Sequence, residues 1–337
     1  MTTLVTGAAG LLGSHVTRAV VARGERPRAM VRPGESTHRL AGLEADTFEA
    51  DMGDPAALAK AVQGVDRVLH CAARTGPWGP AAEYETANVR GLRVLVEAAV
   101  AAGVKRIVHV SSITVHGNDV RGAADESSPF REEPNPYSRS KVAGERLLET
   151  IIRDQAAPVT IVRPGWIYGP GDTASFGRFA AMIQKGRMVG FGSGANHVPL
   201  IFVSDVADGI LLASEVERAL GRTYLLVNDE PVTQAGYFGA IAAALGVPPP
   251  RLRIPYRLAL VLGATSETAG RLARMQNPPP LMRYGIQLIG GENRFSIARA
   301  RQELGFSPQV MLAEGVRRGV EWFRETGGAA QLIKEPA

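Results

Sequence analysis

The stretch Leu4-Val5-Thr6-Gly7-Ala8-Ala9-Gly10-Leu11-Leu12-Gly13 constrains this chain most, because it sets three glycines at Gly-x-x-Gly-x-x-Gly spacing between an apolar run and an amphipathic one. A strand entering such a loop and a helix leaving it make a turn that accepts a dinucleotide. Gly7 permits the tight turn, Gly10 lets the backbone approach a pyrophosphate at the helix N-terminus, and Gly13 lets helix and strand pack closely. Leu11 and Leu12 open the helix and belong to the same cradle.

The rest of the first half alternates in the same rhythm. Apolar runs at 27–31, 47–50, 66–71, 106–110 and 159–163 read as strands, and the stretches 11–23, 55–62, 83–102 and 138–154 read as helices. Such alternation predicts an α/β fold, a Rossmann-type doubly wound parallel sheet. A length of 337 residues suits one such unit carrying a smaller lobe. After Pro164 the rhythm breaks into Pro- and Gly-rich punctuation, helices, and isolated strands such as 223–227. We therefore expect a dinucleotide-binding domain over 1–165, rejoined by segments at about 200–230. A discontinuous, mostly helical C-terminal substrate lobe spans 166–326, and a disordered tail spans 327–337.

Composition excludes several classes. One cysteine, Cys71, rules out a disulfide framework, and no metal site is expected. It sits in an apolar run and reads as a small buried hydrophobe. The net charge of +5 comes from arginines spread along the chain, without the clustering and interleaved aromatics of a nucleic-acid face. No leader precedes the first strand, and no apolar window is long enough to span a bilayer, so the expected compartment is the cytoplasm.

An NAD-preferring version of the glycine loop places Asp or Glu at the end of the second strand. Met30-Val31-Arg32 stands there instead, and a guanidinium suits a 2′-phosphate, so NADP is favoured over NAD, with Arg39 as a second basic group. Asp51 and Met52 flank the adenine, and Ala72 and Ala73 are small enough to lie against the cofactor. Tyr137-Ser138-Arg139-Ser140-Lys141 puts a phenol and an ammonium on one helix face. Positive charge beside a phenol lowers its pKa, which makes Tyr137 a proton donor and acceptor, with Lys141 also holding the nicotinamide ribose. Val110-Ser111-Ser112 ends the fifth strand at the sheet's ligand-binding edge; Ser112 is chosen to polarise a substrate carbonyl, with Ser111 and Thr114 as rivals. Asn88 is read as ordering a water or a bend near Lys141.

With these motifs in order, the chain resembles the extended short-chain dehydrogenase/reductase family (the NAD-dependent epimerases and dehydratases) over nearly its whole length. The likeness includes His70-Cys71-Ala72-Ala73, Asn88, Ser111-Ser112, Tyr137 to Lys141, and Arg163-Pro164-Gly165-Trp166-Ile167-Tyr168-Gly169-Pro170. It implies catalytic roles for Ser112, Tyr137 and Lys141. It also implies cofactor contacts from Ser111, Asn88 and Pro164, and a backbone contact from Ile167 to the nicotinamide carboxamide. Ile113-Thr114 replaces the Asp-Glu pair of the dehydratases. Val198, preceded by His197, stands where sugar-nucleotide epimerases often place an arginine, a role that Arg178 or Lys185 can fill.

The segments 73–79, Pro280-Leu281-Met282-Arg283-Tyr284, and 295–306 are similar to the 3β-hydroxysteroid dehydrogenase, dihydroflavonol reductase and 2-alkyl-3-oxoalkanoate reductase branch. The expected activity is interconversion of a secondary alcohol and a ketone on a hydrophobic substrate by hydride transfer. Alternatives are a sugar-nucleotide epimerase with tightly held NAD, or a non-catalytic NADP-sensing scaffold. Trp78, Thr114, Trp166, Tyr168, Phe176 and Phe179 are candidate substrate contacts, with core packing as the competing role. A homodimer through helices 83–102 and 138–154 is expected from the family, with Val89, Leu92 and Val96 facing either the mate or the sheet. In related enzymes the apolar stretch 254–262 helps form a lid; burial in the lobe is the commonest role for such a stretch, and contact with a membrane surface is an alternative that is not expected.

Overall fold

The computed structural model describes residues 1–327; the tail read as disordered lies, from residue 328, outside the described residues. Seven strands form the main sheet: β1 Thr3–Thr6, β2 Arg28–Val31, β3 Asp46–Glu49, β4 Arg67–His70, β5 Arg106–Val110, β6 Val159–Pro164 and β7 Thr223–Leu226. Their spatial order is β7-β6-β5-β4-β1-β2-β3, and every pair is parallel. The chain direction across the sheet reverses between β1 and β4, the place where a doubly wound sheet opens a crevice.

Side chains alternate between two cores with the two-residue period of a strand. Leu4, Val68, Ile107 and Val159 lie in register and enter one core, shared with Leu92, Val96 and Leu148 of the helices on that face. Val5, Leu69 and Val108 point the other way, to Val16, Val206 and Ile210. Leu92 and Val96 are therefore sheet-facing residues.

Local signals set where the helices begin. The Asp54 carboxylate accepts from the Ala56 and Ala57 amides, and Pro55 takes the first helical position. Asn135 and Pro136 do the same for helix Pro136–Gln155, which places Tyr137 in its first turn. The long helix read at 83–102 starts at Ala81 and is interrupted by a π-helical turn, Thr86–Arg90.

Strand 223–227, read as isolated, closes the sheet as edge strand β7. Leu200–Phe202 stays outside the main sheet and pairs with Trp166–Tyr168. Five further helices, Phe176–Gln184, Gln234–Leu245, Tyr256–Leu272, Arg283–Gly290 and Leu312–Glu325, surround a third core rich in aromatic residues. No helix among the described residues is long and apolar enough to cross a membrane.

Candidate active site

The glycine loop is close-packed on its inner side. Gly7 has φ +63, and a Cβ there would stand 2.8 Å from Ala72 Cα; a Cβ on Gly13 would stand 2.0 Å from the Gly7 carbonyl. At Gly10 a Cβ would meet only the Gly7 carbonyl, at 3.2 Å. No side chain caps helix Leu11–Ala22, so its first-turn N–H groups are available to an anion at the positive end of the helix dipole. Ala72, at the end of β4, is fixed by its amide bond to Thr6 Oγ1 at 3.1 Å, and Thr6 Oγ1 in turn bonds His70 Nδ1 at 2.7 Å. Leu11 packs toward the 169–171 loop, which Arg39 ties back by donating to Gly171 O (3.0 Å) and Ala9 O (3.4 Å). Arg39 is thus held by main-chain carbonyls and serves the loop geometry.

Arg32 is exposed at the end of β2 and pairs with Glu35 at 3.2 Å, while its amide donates to the same carboxylate at 3.1 Å. Asp51 folds over the Gly53 amide at 2.7 Å. Met52 is buried, its carbonyl pressed so closely on Gly91 that a Cβ there would stand 2.4 Å away. At the nicotinamide end, Pro164 terminates β6. A Cβ on Gly165 would strike the Pro199 carbonyl at 2.3 Å, and Ile167 pairs with Ile201 in the small parallel sheet.

Ser112, Tyr137 and Lys141 come together where β5 meets helix Pro136–Gln155. Lys141 Nζ lies 5.9 Å from the Tyr137 ring centroid and donates to the Val110 carbonyl at 2.9 Å. Ser112 Oγ accepts from the Thr114 amide at 3.2 Å, and its hydroxyl lies close enough to favour the ionised Tyr137 phenol. The expected depression of the phenol is not what the structure gives. Burial raises Tyr137, and the nearby Ser112 hydroxyl only partly offsets it. The physical reason lies in Lys141, which is itself buried, pulled down to about 8 by desolvation, and aimed at a carbonyl. The Cys71 thiol nearby is pushed up to about 12 by burial, as befits an inert side chain.

A buried ammonium is a stability liability, which yields a prediction. The folded-state pKa of Lys141, about 8, lies below its unfolded value. The penalty is therefore complete below pH 8 and is relieved as pH rises toward about 10.5. Lys141→Met should raise the melting temperature at pH 7, with the gain shrinking between pH 8 and 10.5. Melting scans at several pH values check it.

Ser111 has a different task from its neighbour. Its hydroxyl is committed to Glu145, which also receives Arg163 Nη2 at 2.6 Å and Nε at 3.0 Å. Arg163 donates further to His116 Nε2 at 3.0 Å; His116 is held neutral by burial and by that guanidinium, and its Nδ1 faces the Pro129 carbonyl. This buried network fixes helix Pro136–Gln155 against β5 and β6. Asn88, in the π-helical turn, accepts from the Arg74 amide (2.7 Å) and donates to Arg74 O (2.9 Å) and Ser140 Oγ (2.8 Å). It therefore latches the loop after β4, including Ala73, to the residue preceding Lys141.

Comparison with known proteins now bears on this geometry. Residues 3–226 match the NAD dependent epimerase/dehydratase family. The chain belongs to that family. It is an NAD-dependent oxidoreductase of the extended short-chain dehydrogenase/reductase branch. It is similar to the 2-alkyl-3-oxoalkanoate reductase of Stenotrophomonas maltophilia, 32% identical over 94% of this chain and 98% of that one. The sterol demethylase protein B of Methylococcus capsulatus is 35% identical over 97% and 99%. The crystal structure of gox2253 matches with a TM-score of 0.82 and 32% identity, covering 97% of this chain and 98% of that one. The glycine cradle, closed to any Cβ on its inner face, fits the dinucleotide that the family name requires.

The substrate side of the oxidoreductase differs from the sequence expectation. Tyr168 and Phe176 are fully buried and belong to the core of the lobe. They are covered by helix Leu312–Glu325, where a Cβ on Gly315 would lie within 2.4 Å of the Tyr168 hydroxyl and one on Gly319 within 2.6 Å of Phe176. Trp166 and Phe179 pack edge-on at 5.4 Å in the same aromatic cluster, with Trp166 Nε1 bonded to Ser175 Oγ. Both stay half-buried, packed against Tyr237 of helix Gln234–Leu245. Thr114 is buried beside Ser112 with its hydroxyl unpartnered among the described residues. Trp78 bridges to the lobe through Nε1 and the Met275 carbonyl at 3.0 Å.

One neighbour of Tyr137 was left unassigned by the residue reading. Tyr284 stands edge-on to Tyr137 at 6.4 Å between centroids. The Glu267 carboxylate holds its neighbour Arg283 at 2.7 Å. With Pro77, Glu133, Asn135 and Met282 these residues line the adjoining cleft. The Met282-Arg283-Tyr284 segment was visible as a family likeness, yet nothing in its spacing points at Tyr137.

Proposed function

We propose that this oxidoreductase interconverts a secondary alcohol and a ketone on a hydrophobic skeleton, with Ser112, Tyr137 and Lys141 as catalytic residues and NADP as the preferred coenzyme. The observation that carries the reading is the convergence of Ser112, at the end of β5, with Tyr137 and the Lys141 ammonium 5.9 Å from its ring, beside a cleft bordered by Tyr284, Met282 and Pro77. When bound, the nicotinamide supplies the two-electron oxidising or reducing equivalent. Tyr137, kept protonated by burial, gives its phenolic proton to the ketone oxygen and recovers it in the reverse direction. The Ser112 hydroxyl donates to that oxygen and orients it. The Lys141 ammonium stabilises the phenolate that proton donation leaves. The lobe over 166–326, apart from the segments that return to the sheet, supplies the substrate cleft. The names of the two curated relatives support a hydrophobic oxo or hydroxy substrate.

A panel of sterol-like, flavonoid-like and β-oxo acyl ketones, followed by nicotinamide absorbance with NADPH and NADH side by side, tests this. Turnover of UDP- or dTDP-sugars with none on apolar ketones would overturn it. Two further results are expected. Ketone reduction should decline as pH rises through about 8, where Lys141 loses its charge; a rate that climbs through that window contradicts the role of Lys141. Arg32→Ala should lower kcat/KM for NADPH about tenfold and change NADH about twofold at most. Equal losses with both coenzymes would remove Arg32 from coenzyme selection.

A further inference from the structure

Six of the nine large hydrophobic side chains exposed among the described residues fall in one segment: Leu252, Leu258, Val261, Leu262, Leu272 and Met275. Helix Tyr256–Leu272 explains the concentration. Ala259, Gly263, Glu267 and Gly270 form its buried face, and Leu258, Val261, Leu262, Ala269 and Leu272 recur at helical spacing on the outer one. The two threonines on that side make no demand on solvent. Thr265 Oγ1 donates to the Leu262 carbonyl and Thr268 Oγ1 to the Ala264 carbonyl, each at 2.9 Å.

Charge around this stripe has one sign. Arg251, Arg253, Arg257, Arg271 and Arg274 are all exposed, and none forms an ion pair among the described residues. Glu267, the sole acid between 251 and 283, is buried and committed to Arg283. We propose that this face rests on a lipid surface rich in anionic headgroups, the apolar stripe entering the interface and Arg251, Arg257 and Arg274 meeting the phosphates, while Arg253 donates to the Ser193 carbonyl and Arg271 lines the cleft behind. A second copy of the chain fits poorly here. A two-fold contact through the same patch sets arginines against arginines, with no free carboxylate on the segment to answer them. The helix, about 25 Å long, lies along the surface and does not span it. The opposite face of the same helix holds Arg283 through Glu267, so the docked surface backs directly onto the cleft beside Tyr284. The proposal stands independently of which ketone is turned over.

Co-sedimentation of the purified full chain with vesicles tests it. Binding is expected to vesicles of phosphatidylcholine mixed with phosphatidylglycerol, and to weaken about tenfold or more with phosphatidylcholine alone or in high salt. The double substitution Val261→Asp, Leu272→Asp should cost at least about tenfold in vesicle binding while the melting temperature stays unchanged, since both side chains are already in solvent. Absence of binding to the anionic vesicles, or undiminished binding by the double variant, overturns the proposal. So does a dimer in gel filtration that this variant converts to monomer without any vesicle binding, because a second copy would then own the face.

Discussion

Tyr137→Phe should lower kcat by about a thousandfold, the middle of the range for a positioned proton donor, with coenzyme affinity unchanged. The loss is specific because the substitution removes one oxygen from a ring already fixed by its surroundings. Tyr284 stands edge-on to it, Asn135 and Pro136 set the first helical turn, and Lys141 Nζ is anchored on the Val110 carbonyl. Coenzyme titration by fluorescence and steady-state rates on the best ketone separate the two effects. A variant that keeps more than a tenth of the wild-type rate would take the phenol out of the chemistry. A variant that also loses coenzyme affinity would show that the hydroxyl serves binding instead.

The second large effect is on stability. Glu145 and Arg163 have side chains that are almost wholly inaccessible, and each satisfies the other through several bonds. Removing one partner leaves the other charge in the interior, at a cost of about 3–5 kcal/mol. Glu145→Ala should therefore shift the denaturation midpoint strongly and loosen Ser111, whose hydroxyl loses its acceptor. Replacing both, as Glu145→Leu with Arg163→Met, should recover most of that loss, because no unpaired charge remains. His116 and the Glu126 carbonyl also receive Arg163, so the recovery stays incomplete. Chemical denaturation of the two variants decides it; a single variant within about 1 kcal/mol of wild type would mean that water reaches the site.

How much of this was written locally differs from element to element. The glycine loop was legible because backbone clearance dictates residue type directly: Gly7 and Gly13 have no room for a Cβ. The helix of Tyr137 and Lys141 was legible from its spacing, although its Asn135-Pro136 start, two residues ahead of the range read, was not. The protonation of Tyr137 was not, since it depends on burial and on where the ammonium points. Tyr168 and Phe176 were misplaced because aromatic residues after a strand look alike whether they line a cleft or fill a core. The deciding contacts come from Gly315 and Gly319, more than a hundred residues later. A return of segments at about 200–230 to the first domain was expected, but the edge position of β7 was not, its partner β6 lying far upstream.

The covering of that aromatic cluster also sets an order on synthesis. The nucleotide-binding strands β1 to β6 are complete once residue 164 has been made. The second lobe keeps Tyr168, Phe176 and Phe202 uncovered until Leu312–Glu325 arrives. A nascent chain thus carries a greasy, half-built lobe through almost half of its translation. Premature termination shortly before residue 312 would release a product with an organised front half and a sticky rear one, the kind of species that chaperones hold and proteases clear.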